Sequence, residues 1–181
     1  MNLVSERYAE AIFEIAKEEN NLIDYKEKAK ELDKLIDRNL IHFLSIRKVL
    51  KEEKKSCIRE WFKDYPLMFT HLMCLLVDAN RTNYLKDILK CFVSKCNDEL
   101  NIKEVKVYTA RSLQDNSRKE IINAIKNKYK SDVELIEILD ESLVSGIKVN
   151  IDGKVIDTSL RNRIDQMKKE LLKESWWDSW N

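Results

Sequence analysis

The chain has 181 residues, of which only 2 are glycine and 1 is proline, and 36% are charged. Its 33 basic and 32 acidic side chains leave a net charge of +1, which offers no basic footprint for nucleic acid or for an anionic membrane. Two glycines cannot supply a glycine-rich phosphate loop or the many turns of a β-sandwich or β-barrel. The composition therefore predicts a mainly helical protein, with 44% apolar residues to fill its core.

Six helices are predicted within about the first hundred residues, because apolar side chains recur there at steps of three and four. The first of them is apolar on more than one face, whereas the second has a narrow apolar seam and a charged outside. Their apolar positions span residues 8–16, 22–36, 40–46, 49–62, 67–79 and 85–96.

Several residues predict where these helices start. Asn2 or Ser5 is available as N-cap of the first helix, and Thr82 is available as N-cap of the sixth. Pro66 suits the first position of the fifth helix, where a missing N–H is harmless. Residues 67–79 are apolar on nearly all sides, so this fifth helix must be enclosed by neighbours or by a partner.

The pattern changes after the sixth helix. Val105 and Val107 alternate with charged residues, which predicts a strand, and a helix is expected after Asp115. Asp-Gly at 152–153 lies between alternating runs and predicts a hairpin. The remaining predicted elements are strands over residues 133–139, 147–151 and 155–156, and a last helix after residue 159.

The predicted organisation is mainly α: an N-terminal six-helix bundle over residues 1–104, followed by a small α/β C-terminal domain over residues 105–174. Residues 175–181 form a tail with three of the four tryptophans. The longest apolar stretch, residues 66–77, is shorter than the roughly 20 residues of a membrane span and is interrupted by polar side chains. No direct membrane insertion is expected, and no targeting segment is predicted at the N-terminus.

No catalytic, cofactor-binding or metal site is predicted. The four cysteines form no CxxC pair, so reduced thiols of a cytoplasmic protein are expected. His71 and Cys74 could share a helix face, but two ligands do not make a zinc site. Neither histidine has an identifiable orienting partner for nucleophilic catalysis, and a hydrolytic enzyme has no residue support. The residues alone predict a binding module that is not an enzyme.

A resemblance to a known family covers most of the chain. Residues 140–164 read DESLVSGIKVNIDGKVIDTSLRNRI and resemble the signature of the delta subunit of F-type ATP synthases. Three further matches lie in order at residues 7–16, 80–92 and 105–110, which read RYAEAIFEIA, NRTNYLKDILKCF and VKVYTA. Together the matches extend from residue 7 to about residue 172. The family is similar to the mitochondrial oligomycin-sensitivity-conferring protein.

The resemblance implies a non-catalytic stator subunit within a hetero-oligomeric complex. In the family, the helical bundle grips the N-terminal segments of the alpha subunits on the catalytic head, and the C-terminal domain holds the b subunit of the peripheral stalk. Such a connector resists rotor torque during proton-driven ATP synthesis. It would lie at the cytoplasmic face of the bacterial cell membrane, as a peripheral part of the ATP synthase.

The resemblance also implies an apolar groove between the first and fifth helices for the alpha subunit segment. The alternative that the same side chains simply fill the bundle core stays open, because core and groove share one periodicity. The predicted lining is Tyr8, Ala11, Ile12, Ile15, Leu72, Leu75, Leu76 and Ala79.

In the C-terminal signature we expect structural roles for four residues. Gly146 allows close backbone packing or a bulge, Gly153 forms a hairpin turn, and Asp157 or Ser159 caps the last helix. The tryptophan-rich tail departs from the family, and Trp is enriched in interface hot spots. The alternative function is therefore a delta-like subunit recruited into a different rotary-ATPase-based assembly.

Overall fold

The structure is a computed structural model that describes residues 2–143, 145–151, 153–158 and 162. The chain divides into two compact units, and the division falls between Leu100 and Asn101. The first strand of the second unit begins at Ile102, three residues before the position at which the alternating pattern becomes clear.

The first unit contains six α-helices that contribute to one buried apolar cluster. Asn2 caps the first of them, because its side-chain oxygen accepts a hydrogen bond from the N–H of Val4 at 3.1 Å. Ser5, the other N-cap candidate, is buried inside that helix. The helices are α1 (Leu3–Glu18), α2 (Leu22–Leu35), α3 (Arg38–Ser45), α4 (Lys51–Trp61), α5 (Leu67–Asp78) and α6 (Leu85–Glu99).

Three predicted helix starts are wrong by one or two residues. Pro66 is the N-cap residue of α5 rather than its first residue, because that helix begins at Leu67. Thr82 does not cap α6, since it begins a 3-10 turn, Thr82–Tyr84, that precedes the helix. Its side chain is buried and its Oγ1 lies 3.3 Å from Oγ of Ser45, at the end of α3. Val49 lies before α4, because that helix begins only at Lys51.

Asparagine takes the place of glycine at the ends of three helices. Asn20, Asn80 and Asn101 follow α1, α5 and α6, and each has φ between 51° and 54°. After α5 the N–H of Asn80 donates to the carbonyl of Val77 at 3.2 Å, and the N–H of Arg81 donates to Leu76 at 2.8 Å. This is the Schellman arrangement, and asparagine is the non-glycine residue that best tolerates its left-handed position.

The centre of the first unit is aromatic. The ring of Phe69 on α5 makes edge contacts with Tyr25 of α2 at 6.1 Å and with Phe92 of α6 at 6.2 Å between centroids. Phe69 and Phe92 are completely buried. Such edge contacts add to the burial energy of the rings, so they connect α5 to both α2 and α6.

One buried cation fixes the end of α3. The Nζ of Lys54, on α4, donates to the carbonyls of Leu44 and Ile46 at 2.6 Å each. Carbonyls at a helix C-terminus lack partners within the helix and carry the negative end of its dipole. Lys54 therefore joins α4 to the end of α3 while almost fully buried.

The second unit contains a four-stranded sheet in the order β2, β1, β3, β4. β1 runs parallel to β2 and antiparallel to β3, and β4 is antiparallel to β3. A helix follows β1 and leads to the parallel strand. Within the described residues the elements are β1 (Ile102–Thr109), α7 (Asp115–Tyr129), β2 (Asp132–Leu139), β3 (Ile147–Ile151) and β4 (Lys154–Asp157).

One face of this sheet packs against α7. Val105 and Val107 of β1 are completely buried and pair with Ile151 and Val149 of β3, which lie on the same face. Ile125 of α7 belongs to the same apolar cluster. The described part of the chain is thus mainly helical with a small sheet in its C-terminal half, as the sequence predicts; the predicted last helix lies outside the described residues.

Candidate docking groove

A concave surface of about 410 Å³ lies between α1 and the end of α5. It is open to solvent, because Leu3 is 72% exposed and Leu75 is 52% exposed. Exposed apolar side chains that line a concavity form a surface suited to an apolar side chain of another molecule. The lining residues are Leu3, Val4, Arg7, Tyr8, Ala11, Leu75 and Arg81.

Tyr8 and Arg81 meet across this groove. The Nη1 of Arg81 donates to the hydroxyl of Tyr8 at 3.2 Å, and the guanidinium carbon lies 5.9 Å from the centre of the tyrosine ring. The left-handed turn at Asn80 directs the chain from the end of α5 into this position. A guanidinium near an aromatic ring gains cation–π attraction, so the contact holds the Arg81 side chain at the groove.

The structure brings together three of the eight residues predicted to line the groove. Tyr8, Ala11 and Leu75 all contribute to the concave surface. Ile15 is 41% exposed and Ala79 is exposed, but neither belongs to this lining.

The other three predicted lining residues belong to the core. Ile12, Leu72 and Leu76 are 4%, 6% and 0% exposed. They pack within the apolar cluster of the first unit. Ile12 follows Ala11 in sequence, and neighbouring residues on a helix point about 100° apart, which separates a groove residue from a core residue.

Four residues that line the groove were not predicted from the sequence: Leu3, Val4, Arg7 and Arg81. A signal for Leu3 and Arg7 is present, because they lie eight and four residues before Ala11 and so share its face of α1. Arg81 has no such periodic signal. Its position depends on the left-handed turn after α5, which only the folded chain displays.

A second cleft of about 390 Å³ lies between α1 and α6, and most of its lining residues are polar or charged. The carboxylate of Glu10 accepts a hydrogen bond from the ammonium of Lys95, which raises the pKa of Lys95 above its usual value. Burial raises the pKa of the Cys91 thiol, so this thiol stays protonated. The cleft is lined by Leu3, Glu6, Arg7, Glu10, Cys91, Ser94, Lys95 and Asp98.

The signature residues of the second unit have backbone roles where they are described. Gly146 and Gly153 have φ of 87° and 82°, a region that glycine occupies without strain. The N–H of Gly153 donates to Oδ1 of Asn150 at 3.1 Å, next to the β3–β4 turn. Asp157 is the last residue of β4, and its carbonyl accepts from Nδ2 of Asn162 at 3.1 Å. Ser159, the other predicted cap, lies outside the described residues.

Within the described residues, no group of three His, Cys, Asp or Glu side chains is arranged to hold a metal ion. In the same part of the chain, no helix combines the length and apolarity needed to traverse a lipid bilayer. The four cysteines are free thiols, and burial raises the pKa of Cys96 to about 12.

The first unit is helical and has an open apolar groove, and a small α/β unit follows it in the chain. A family model described as ATP synthase delta (OSCP) subunit matches residues 4–171. The chain belongs to this family, which confirms the resemblance found in the sequence. The family's members are non-catalytic subunits of the ATP synthase complex, as the sequence also predicts.

Relatives of this kind cover almost the whole chain. ATP synthase subunit delta of Bacillus thuringiensis (strain Al Hakam) is 30% identical over 174 residues, which cover 94% of this chain and 97% of the relative. The subunit of Bacillus cereus (strain AH820) matches equally well. A chain in the cryo-EM structure of the Toxoplasma gondii mitochondrial ATP synthase hexamer has the same fold, with a TM-score of 0.70 at 20% identity. That alignment covers 95% of this chain and 98% of the other.

Proposed function

We propose that this protein is the stator connector of an F-type ATP synthase. The first unit, as a six-helix bundle over residues 1–104, binds the N-terminal segments of the alpha subunits on the catalytic head. The domain over residues 105–174 binds the b subunit of the peripheral stalk. The complex lies at the cytoplasmic face of the bacterial cell membrane, and this subunit is peripheral to it.

The mechanical role follows from the way in which a rotary machine works. Proton flow turns the rotor inside the head, and the head turns with it unless a part anchored to the membrane sector resists the torque. A connector must therefore bind two partners at separate surfaces. The division of the chain into two compact units supports this role, because each unit presents a surface of its own.

One observation carries the proposal for the head-binding end: the open apolar groove between α1 and α5. Leu3, Ala11 and Leu75 form an apolar floor that an amphipathic helix covers with side chains at spacings of three and four. The large exposed fractions of Leu3 and Leu75 mean that docking removes substantial apolar surface from water.

Titration with a synthetic peptide tests this end of the connector. The probe is the first 20 or so residues of the alpha subunit from the same organism, and the protein is the full chain, observed by calorimetry. We expect saturable binding that weakens when Leu75 is changed to Ala. A folded protein with no saturable binding would contradict the proposal.

Purification of the intact complex tests the assembly. Co-purification with conventional b and c subunits supports an ATP synthase stator. Co-purification with a different set of components supports instead the alternative, recruitment of this delta-type subunit into another rotary-ATPase-based assembly.

A further inference from the structure

The charged residues that line the groove between α1 and α5 are all cationic. Four of its seven lining residues are aliphatic and one is Tyr8, while the other two, Arg7 and Arg81, are cationic. No acidic residue is among these seven. The neighbouring cleft between α1 and α6 shares Leu3 and Arg7 with the groove, and its lining adds Lys95 and three carboxylates, from Glu6, Glu10 and Asp98. The apolar groove is therefore the positively charged one of the two.

Two acidic side chains on the helices that form the groove pair with lysines of other helices. Asp78, at the end of α5, forms an ion pair with Lys55 of α4 at 2.7 Å, and its carbonyl accepts from Lys51 at 2.7 Å. Glu10 of α1 pairs with Lys95 of α6. These two carboxylates pair with lysines rather than with Arg7 or Arg81.

Arg81 is oriented before any partner arrives. Its guanidinium contacts the ring and the hydroxyl of Tyr8, which limits its rotamers. A guanidinium has five N–H donors, and the hydroxyl accepts one of them. An arginine that is already oriented loses less rotamer freedom when it binds a carboxylate, and its planar fork matches both carboxylate oxygens.

Arg7 provides the second cation, from the α1 side. It is exposed and lies one turn from both Leu3 and Ala11, on the same stripe of α1. The two cations thus come from different elements, with the apolar lining of Leu3, Ala11 and Leu75 as their shared floor.

We infer that this groove selects an amphipathic helix whose apolar face is accompanied by carboxylates, and that Arg7 and Arg81 are its specificity-determining residues. The inference rests on the proposed docking of an alpha subunit segment and adds the charge pattern of that segment. Charge complementarity of this kind favours the correct partner and speeds its association.

The experiment compares three forms of the alpha subunit peptide: its natural form, a form with Asp and Glu changed to Asn and Gln, and a form with them changed to Lys. We expect the natural peptide to bind most tightly and to lose its advantage in high salt, because salt screens exposed charges. Arg7→Gln and Arg81→Gln should each weaken its binding about two- to fivefold, the range for exposed ion pairs. Arg47→Gln, which removes an exposed charge outside the groove, is the matched control and should have no effect.

Charge reversal gives the decisive comparison. The double variant Arg7→Glu with Arg81→Glu should prefer the lysine peptide over the natural one, a rescue that loss of structure cannot produce. Tyr8→Phe retains the ring but removes the hydroxyl, and we expect it to weaken the preference for carboxylates less than Arg81→Gln does.

The outcomes separate this inference from the proposed function. If all three peptides bind equally and salt has no effect, charge selection is wrong while docking in the groove stands. A natural segment without carboxylates also overturns the inference. If no peptide binds the folded protein, the proposed docking itself is wrong.

Discussion

Leu75 and Leu76 are adjacent in sequence, yet the structure assigns them opposite roles. Leu75 is 52% exposed and lines the groove, whereas Leu76 is completely buried in the core of the first unit. Changing each of them to Ala in turn therefore tests whether two adjacent residues belong to different parts of the structure, one to the groove and the other to the core.

The expected magnitudes follow from burial. Full burial of a leucine side chain contributes about 1.5–3 kcal/mol, so covering the exposed half of Leu75 on docking contributes about 1 kcal/mol, roughly a fivefold change in affinity. Its replacement should lower the free energy of unfolding by less than about 1 kcal/mol. Leu76→Ala leaves a cavity and should lower the free energy of unfolding by about 2–5 kcal/mol, out of a total of about 5–15 kcal/mol.

Urea denaturation measures the free energy of unfolding, and calorimetric titration with the alpha subunit peptide measures affinity. Leu75→Ala should change affinity with little change in stability. Leu76→Ala should change stability, and under conditions where the variant is folded it should retain its affinity. Equal destabilisation by the two variants would refute the assignment, as would unchanged affinity in Leu75→Ala.

Three further predictions concern stability, and urea unfolding measures each of them. Asn80→Ala should destabilise the protein by about 1 kcal/mol because alanine resists the left-handed turn. Asn80→Gly should destabilise it less, because glycine adopts the turn and costs only its greater freedom in the unfolded chain. Lys54→Met should cost about 1–3 kcal/mol, because it leaves two carbonyls at the end of α3 without their donor. The Leu113 N–H and then Arg118 hold the pKa of Glu137 below its ordinary value of 4.5. The stability that ionised Glu137 contributes is therefore present above pH 4.5 and is lost as the pH falls through the lowered pKa. Glu137→Gln should accordingly make the free energy of unfolding fall less steeply with decreasing pH in the acid range.

The positions of the helices follow from the sequence because burial imposes a period on the apolar side chains. Tyr25, Ala29 and Leu32 repeat at the spacing of one helical face, and all three are buried against the core. The sequence also predicts the strands β3 and β4, because alternating apolar and polar residues on either side of an Asp-Gly pair indicate a hairpin. These features are local in sequence, so a local pattern is sufficient to find them.

The groove was only partly predictable, for a physical reason. A helix that contributes to both a core and a groove is apolar over more than one face. The periodicity of its apolar residues does not show which face is buried in the core and which one stays exposed in the groove. Ala11 and Ile12 illustrate this, because both are apolar but only Ala11 lines the open surface. The contact between Tyr8 and Arg81 joins residues 73 positions apart, which no local pattern reports.

The scarcity of glycine and the proposed docking role are connected through the helix ends. Three helices of the first unit end in a left-handed asparagine, and a residue with a Cβ has fewer backbone conformations to lose on folding than glycine has. The turn at Asn80 also carries Arg81 to the edge of the groove, so the residue that ends α5 helps to determine the shape of the docking surface. A glycine there would accept the same turn but would leave the unfolded chain freer. Asparagine therefore favours the folded state at this turn, which keeps Arg81 at the groove.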